Sequence, residues 1–408
     1  MNIILINHYA GSNRHGMEYR PYYLAREWVR LGHSVTVLAA SSSHLRVQAP
    51  CVRGSITEEN IDGIRYLWLK TPGYIGNGVG RALNISAFVG RLLRYGVWLG
   101  DHCRPDVVIA SSTYPLDMVP AHYIARKCEA VLVFEVHDLW PLTPIELGGM
   151  SPRHPFIVSM QWAENFAYRK ADRVVSLLPK AEAHMQSHGM DPRKFAYVPN
   201  GVEVSDWQSS VTPVPQAQSE ILGSLRREGR FIVGYAGAHG AANGLEMLVE
   251  AAQLLRGRPV TVVLVGEGPC KQRLQQKAVQ LRLANTVFLP QVPKLSVPAL
   301  LASMDALYIG CNRMPIHRFG ISPNKLMDYM MAGKPVIYAY EAGNDPVAES
   351  GCGLSVPPED PSAIAGAVAR LMGLTGAERQ AMGARGKEYV LAHHDYRILA
   401  ERFLAVVQ

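Results

Sequence analysis

Charge is scarce in this chain. Asp, Glu, Lys and Arg together make up 18% of the 408 residues, and nowhere do they form a block. Without a Lys/Arg run, or a basic stripe interleaved with aromatics, nucleic acid is excluded as a leading partner. The six cysteines (Cys51, Cys103, Cys128, Cys270, Cys311, Cys352) are scattered, with no Cys-x-x-Cys pair. Neither a zinc site nor a disulfide framework is expected from them, and reduced thiols in a cytosol fit their usage. No uncharged apolar run approaches about 18 residues, so no segment is expected to span a bilayer. The N-terminus enters a short apolar strand with no basic lead, and no signal peptide is expected. Asp-x-Asp occurs nowhere. The usual carboxylate clamp for a divalent ion on a diphosphate is therefore missing, and no metal is expected. G-x-G-x-x-G and P-loop spacings are also absent, which argues against a dinucleotide site and against ATPase chemistry.

What is present is a long, apolar, mildly basic chain. Hydrophobic residues make up 48% of it and the formal charge is +7. Such a composition folds into globular domains, and the basic balance favours phosphates or acidic lipid headgroups. A basic surface with no particular partner is the plainer alternative.

Short β-rich runs alternate with helical patterns in the first half. Ile3–Ile6, Val35–Ala39, Ile64–Leu69, Val107–Ala110, Val131–Val136, Val174–Leu177 and Phe195–Val198 read as strands. Helices are expected over Tyr19–Leu31 and Pro115–Lys127. Ser205–Gln218, rich in Ser, Pro and Gln, reads as a connection between domains 1–204 and 205–408. A second alternation follows. Its strands are Phe231–Tyr235, Thr261–Val265, Thr286–Leu289, Ala306–Ile309 and Pro335–Tyr340, and its helices are Leu245–Leu255, Pro269–Leu281, Val297–Ser303 and Pro323–Ala332. A last helix, Asp395–Val407, can pack on either domain. The fold class is α/β, two Rossmann-like domains facing an inter-domain cleft where ligands collect at strand carboxyl ends.

The most informative stretch is Phe319–Ile337, FGISPNKLMDYMMAGKPVI. Ser322 reads as an N-cap with Pro323 in the first helical position, followed by Asn324 and Lys325 in the first turn. Gly333 ends the helix. A helix N-terminus beside an ammonium suits a phosphate, and Asp328, on the same helix face as Lys325, suits a sugar diol. An ordinary capped helix with a surface Lys325–Asp328 pair explains the same spacing.

Glycine loops follow two strands of this half: Gly237-Ala-His-Gly240 with Asn243-Gly244, and Gly266-Glu267-Gly268. They allow backbone amides to approach an anion, or are simply the glycines that tight turns require. In the first half, His137-Asp138 follows a strongly apolar strand, which suits sugar hydroxyls or proton handling, or a structural histidine. Gly16 and Glu18 lie in the first strand-to-helix loop, where glycine lets a phosphate or acceptor approach. Arg81–Leu99 reads as an amphipathic helix with Phe88, Leu92, Tyr95 and Leu99 in helical register and Arg91, Arg94 and Trp98 beside them. It lies either in a membrane interface or in the core.

In combination, these residues resemble the retaining glycosyltransferases of family 4, on the GT-B fold. The carriers are Gly16-x-Glu18, Leu31-Gly-His33-x-Val35-x-Val37, Val198-Pro-Asn-Gly-Val202, Val265-Gly-Glu-Gly-Pro269 and the block Asp328–Ile337. The run SPNKLMDYMMAGKPVI is similar to enzymes of O-antigen and capsule synthesis. HGMEYRPYYLAREWVRLGH is similar to a branch regarded as N-acetyl-L-fucosamine transferases.

The resemblance implies that the second domain binds a nucleotide sugar, UDP-linked, and the first binds the acceptor. Asp328 matches the second acid of the family's E-x7-E motif, which holds the ribose. The first acid falls on Gly320, or on His317 by the Phe-Gly register, and neither is acidic. The family's phosphate-binding Arg and Lys fall near Ala238 and Asn243, which leaves Lys325, with Arg313 or Arg318, to supply that charge. His137 matches a histidine beside the donor sugar. The expected activity is cytosolic, metal-independent transfer of a hexosamine-type sugar to a polyprenyl-diphosphate-linked acceptor at the inner face of the cytoplasmic membrane. No cofactor beyond the donor is expected. A non-hydrolysing nucleotide-sugar 2-epimerase on the same architecture is the alternative, and a binding protein that has lost activity is a third.

Overall fold

The computed structural model describes residues 1–16, 18–76, 78–208 and 212–408. The chain forms two compact units. Met1–Asn200, Phe319–Ile321 and Tyr396–Gln408 make the first, and Gly201–Arg318 with Ser322–Asp395 the second.

The first unit is built on eight strands: β1 (Asn2–Ile6), β2 (Ser34–Ala40), β3 (Ile56–Ile61), β4 (Ile64–Leu69), β5 (Val107–Ala110), β6 (Val131–Val136), β7 (Arg173–Ser176) and β8 (Phe195–Tyr197). Their order is β3-β4-β2-β1-β5-β6-β7-β8. All neighbours run parallel except β3, which pairs antiparallel with β4. The central strands are apolar along most of their length because helices cover both faces of a parallel sheet. β3 escapes the sequence reading because Ile56–Ile61 (ITEENI) is a half-exposed edge strand. The signal for it lies in the turn. Asp62 and Gly63 both have positive φ, 52° and 81°, the two-residue hairpin geometry that Asp-Gly favours.

The C-terminal helix Tyr396–Val407 packs within this unit, against the helix Arg20–Arg30. Trp28 is fully buried there, its ring 5.2 Å from that of Phe403 and its indole N–H donating to the Ala400 carbonyl at 3.1 Å. The expected Arg81–Leu99 helix extends over Val79–Cys103. Phe88, Leu92 and Leu99 are buried, so one face is core. The other face carries Val79, Leu83, Leu93, Val97 and Trp98 in the open. Among the described residues, no helix is long and apolar enough to cross a membrane.

The second unit has six parallel strands: β9 (Phe231–Ala236), β10 (Val260–Val265), β11 (Thr286–Leu289), β12 (Ala306–Gly310), β13 (Val336–Ala339) and β14 (Gly353–Val356). Their order is β11-β10-β9-β12-β13-β14. The chain reverses its direction of travel across the sheet between β9 and β12, which opens a crevice at their carboxyl ends.

The unit boundary falls at Asn200–Gly201, ahead of the expected 204. Arg20 explains why, since its guanidinium donates to the Val198 and Pro199 carbonyls and ties that turn to the first unit. The expected connection is also more structured than its composition suggests. Ser205–Gln208 and Gln216–Arg227 are helices, and only 209–211 lie outside the described residues.

Candidate functional site

In the second unit the helix Asn324–Met331 lies against the end of β9. Leu326, Met327, Tyr329, Met330 and Met331 form its buried side. The Tyr329 hydroxyl pins it, accepting from the Ala236 amide at 2.8 Å and donating to the Ala236 carbonyl at 3.0 Å. The start differs from expectation by one residue. Pro323, extended at ψ 125°, is the N-cap, no side chain caps the helix, and Asn324 takes the first helical position. Ser322 therefore lies outside the helix. Leu326 N–H already donates to the Pro323 carbonyl, which leaves the Asn324 and Lys325 amides for an incoming acceptor.

Lys325 reaches from the first turn to the β9 loop. Its Nζ donates to the Tyr235 hydroxyl at 2.7 Å and to Asn243 Oδ1 at 3.0 Å, and stands 4.7 Å from the Tyr235 ring centroid. Both partners are neutral. Burial lowers its pKa from 10.5 to about 8, opposed only by Cys311. The expected Lys325–Asp328 surface pair does not form. Asp328 faces Lys294 and Asp206 instead, and burial raises its pKa to about 6, with Lys294 pulling it down. Lys294 and Asp206 are 3.6 Å apart.

The glycine loops divide between the two readings. A Cβ on Gly237 would meet Lys325 Cδ at 2.7 Å, so glycine there admits the lysine. A Cβ on Gly266 would lie 1.9 Å from the Gly237 carbonyl oxygen, and one on Gly268 would lie 2.7 Å from that of His239. Those two glycines allow loop to pack on loop. Glu267 pairs with Lys271 at 2.6 Å, and the Asn243 amide donates to the Ala238 carbonyl at 2.9 Å. A Cβ on Gly240 would meet Asn243 Nδ2 at 3.2 Å, while Gly244, with φ 59°, lies against Cys311 and Tyr308. His239, between the loops, is one residue the sequence reading passed over. It is fully buried, and neither ring nitrogen has a partner among the described residues. Burial, then Lys271, lowers its pKa to about 4.

Arg313 departs from expectation. It is bracketed by carboxylates, Glu341 at 3.7 Å and Glu359 at 4.0 Å, and lines an open cavity of about 550 Å³ with Arg318 and Glu341. Its charge is already answered there.

In the first unit His137 follows β6. Its Nε2 lies 2.9 Å from Ser111 Oγ and 3.1 Å from Glu135 Oε2. Glu135 is fully buried and takes Arg20 on its other oxygen, at 2.8 and 3.0 Å. Burial alone would raise its pKa, but Arg20 and His137 outweigh burial and bring it down to about 2. The sequence carried a sign of this triad, a carboxylate inside the otherwise apolar Val131–Val136 strand. Asp138 does not join it. It accepts from Leu139 N–H at 2.9 Å and from the Thr143 hydroxyl at 2.6 Å, holding its own turn. Gly16, with φ 89°, has Val47 where a Cβ would point, at 3.0 Å, so that loop packs and leaves no space at this position. The Glu18 carbonyl accepts from Gly11 N–H; Met17 between them lies outside the described residues.

Residues 15–201 match the family model described as a glycosyl transferase 4-like domain, and residues 230–373 match glycosyl transferases group 1. A probable glycosyltransferase WbjE of Pseudomonas aeruginosa is 23% identical over 321 residues, 77% of each chain. The putative colanic acid biosynthesis glycosyl transferase WcaI of Escherichia coli K12 is 30% identical over 156 residues, 38% of this chain and 37% of WcaI. Among solved structures, sucrose-phosphate synthase from Thermosynechococcus elongatus aligns with TM-score 0.73 at 16% identity, covering 99% of this chain and 97% of that one. Anabaena Alr3699/HepE, solved with UDP, aligns with TM-score 0.68 at 16% identity, covering 99% of each.

Proposed function

We propose that this chain, a glycosyltransferase built on the GT-B fold, moves a hexosamine-type sugar from a UDP-sugar to a lipid-linked acceptor in surface-polysaccharide synthesis, with retention of configuration. One observation carries the reading. An ammonium, Lys325, is held at the carboxyl end of β9 by two neutral groups, beside the Asn324 and Lys325 amides, which have no acceptor among the described residues. A half-buried cation without a counter-ion is costly, and an arriving diphosphate relieves that cost. The UDP in the Anabaena neighbour and the colanic acid role in the name of the Escherichia coli relative support the choice of donor and pathway class. None of the matches above is described as an epimerase.

When the anomeric C–O bond breaks, its electron pair leaves with UDP and the sugar becomes oxocarbenium-like. Lys325 and the amides of Asn324 and Lys325 meet the new negative charge as it develops, where stabilisation accelerates the reaction most. The acceptor hydroxyl attacks from the leaving-group face, its oxygen bonding to the anomeric carbon while its proton passes to the departing phosphate oxygen of UDP. We assign His137 to the donor sugar, its ring oriented by Ser111 and Glu135, and Asp328 to the ribose hydroxyls. The open Val79–Trp98 face, with Arg94 exposed beside it, supports a position at the cytoplasmic membrane surface where such an acceptor resides.

Lys325→Ala tests the site. Its turnover number falls on the order of 10²-fold, while wild-type turnover is unchanged when magnesium and manganese are withheld. A near-normal turnover number in the variant removes Lys325 from the chemistry.

A further inference from the structure

On the far side of the first unit's sheet order, near β7, three side chains converge that the transfer reaction does not use. His184 lies in the helix Glu182–Ser187, and His188 caps its end. The i,i+4 spacing turns both imidazoles to one side, ring centroids 4.4 Å apart. Glu164, from the helix Pro155–Lys170, faces them. One donor atom from each of the three lies within 4.8 Å of the others.

The electrostatics of this cluster are incomplete. Glu164 is 1% exposed, and a carboxylate so deep ordinarily has an Arg or Lys beside it. Its hydrogen-bond donors are Gln161 Nε2 at 2.7 Å and the Tyr168 hydroxyl at 3.1 Å, both neutral. Among the described residues its ion-pair partner is His184, Nε2 to Oε1 3.3 Å. Among the described residues no Lys or Arg pairs with Glu164, so the cluster lacks a permanent cation. A divalent ion supplies it.

The surroundings are also those of a ligand set. Histidines that hold a metal with one nitrogen ordinarily fasten the other to a carbonyl or carboxylate. His188 Nδ1 lies 2.9 Å from the His184 carbonyl oxygen, and its Nε2 makes no hydrogen bond among the described residues. Gln161 and Tyr168 hold the carboxylate from behind. We propose that Glu164, His184 and His188 form a zinc site. Two imidazole nitrogens and one carboxylate oxygen suit zinc, with water completing four-coordination, whereas magnesium and calcium favour oxygen donors.

The site would join two helices, and it adjoins the segment leading to Lys325. The Phe319 ring is 5.3 Å from that of His184, and the Phe319 carbonyl accepts from Lys180 N–H at 2.9 Å. Occupancy thus braces the start of Phe319–Ile321, the stretch of chain that enters the Asn324–Met331 helix.

The test uses the full chain without an affinity tag, stripped by chelator and titrated with zinc against a chromophoric chelator. One zinc per chain is expected, with none displaced by excess magnesium. Glu164→Gln and His188→Gln lower zinc affinity at least about tenfold, and Tyr168→Phe lowers it about 10–100-fold. The zinc-dependent rise in melting temperature disappears in His188→Gln while its zinc-free melting stays at the wild-type value. Cys51→Ser, which removes the exposed thiol, leaves the stoichiometry at one. The proposal is overturned if wild type binds no zinc, if the three cluster variants bind as tightly as wild type, or if Cys51→Ser abolishes binding.

Discussion

Two buried charges at the residue scale behave oppositely because one has a counter-charge and the other does not. Glu135 is answered by Arg20, and its pKa sits at about 2 against an ordinary 4.5. The stability it contributes is complete above 4.5 and is lost as pH falls toward 2. Replacing Arg20 with Met should cost about 3–5 kcal/mol in denaturant unfolding, because it strands a buried carboxylate. An unchanged midpoint would mean the pair is incidental. Lys325 has no such partner among the described residues, and its pKa drops to about 8. A bound diphosphate raises it again, so between about 8 and 10.5 binding takes up a proton and UDP affinity falls as pH rises. Titration calorimetry in two buffers of different ionisation enthalpy reads the uptake directly, and a pH-independent affinity across that window would place the diphosphate elsewhere. The sequence already marked Lys325 and His137, but not the groups that give them their character. Tyr235, Asn243, Ser111 and Glu135 are brought in from other elements, and no spacing rule reaches that far.

Among the elements, the apolar strands were the most legible. Ile64–Leu69, Val107–Ala110 and Val131–Val136 have the ends their composition suggests, because strands covered on both faces are largely apolar. The edge strands β3 and β14 were missed, having one side in water and a weaker pattern. The helix Gly376–His393 was also missed, although Thr375 and Glu378 form a capping box that the sequence displays. The Val79–Cys103 helix meets the core expectation on one face, where Phe88, Leu92 and Leu99 are buried, and leaves the other face apolar and exposed. Its outer apolar stripe, with Val79 77%, Leu83 60% and Trp98 42% exposed, is long enough to rest in a lipid interface. Leu93→Glu with Trp98→Glu should abolish co-sedimentation with anionic vesicles and leave melting unchanged, since both side chains already face solvent. Equal sedimentation of the double variant and wild type would remove this face from membrane binding.

For the whole molecule, each half is an α/β unit on a parallel sheet, with β3 the antiparallel exception in the first, and each matches a glycosyltransferase domain model. The nucleotide site proposed for the second unit makes a simple global prediction. UDP at a hundred times its dissociation constant should stabilise that unit by about 2.7 kcal/mol, which for a body of this size is a rise of roughly 2–4 °C in melting temperature per kcal/mol. Lys325→Ala should lose most of that rise; if it keeps it, the nucleotide binds without the lysine. By itself the sequence determined the α/β class, the two-unit layout, most strands and a helix within Pro323–Gly333, because these depend on local periodicity and on residues adjacent in the chain. Only the tertiary structure decided that the last helix packs in the first unit, that Gly266 and Gly268 serve packing, that Arg313 is already paired, and that Lys325 is left without a carboxylate. Those outcomes depend on which distant groups share a buried volume, and the cost of leaving a charge or a carbonyl unanswered there is set by neighbours that a linear pattern does not encode.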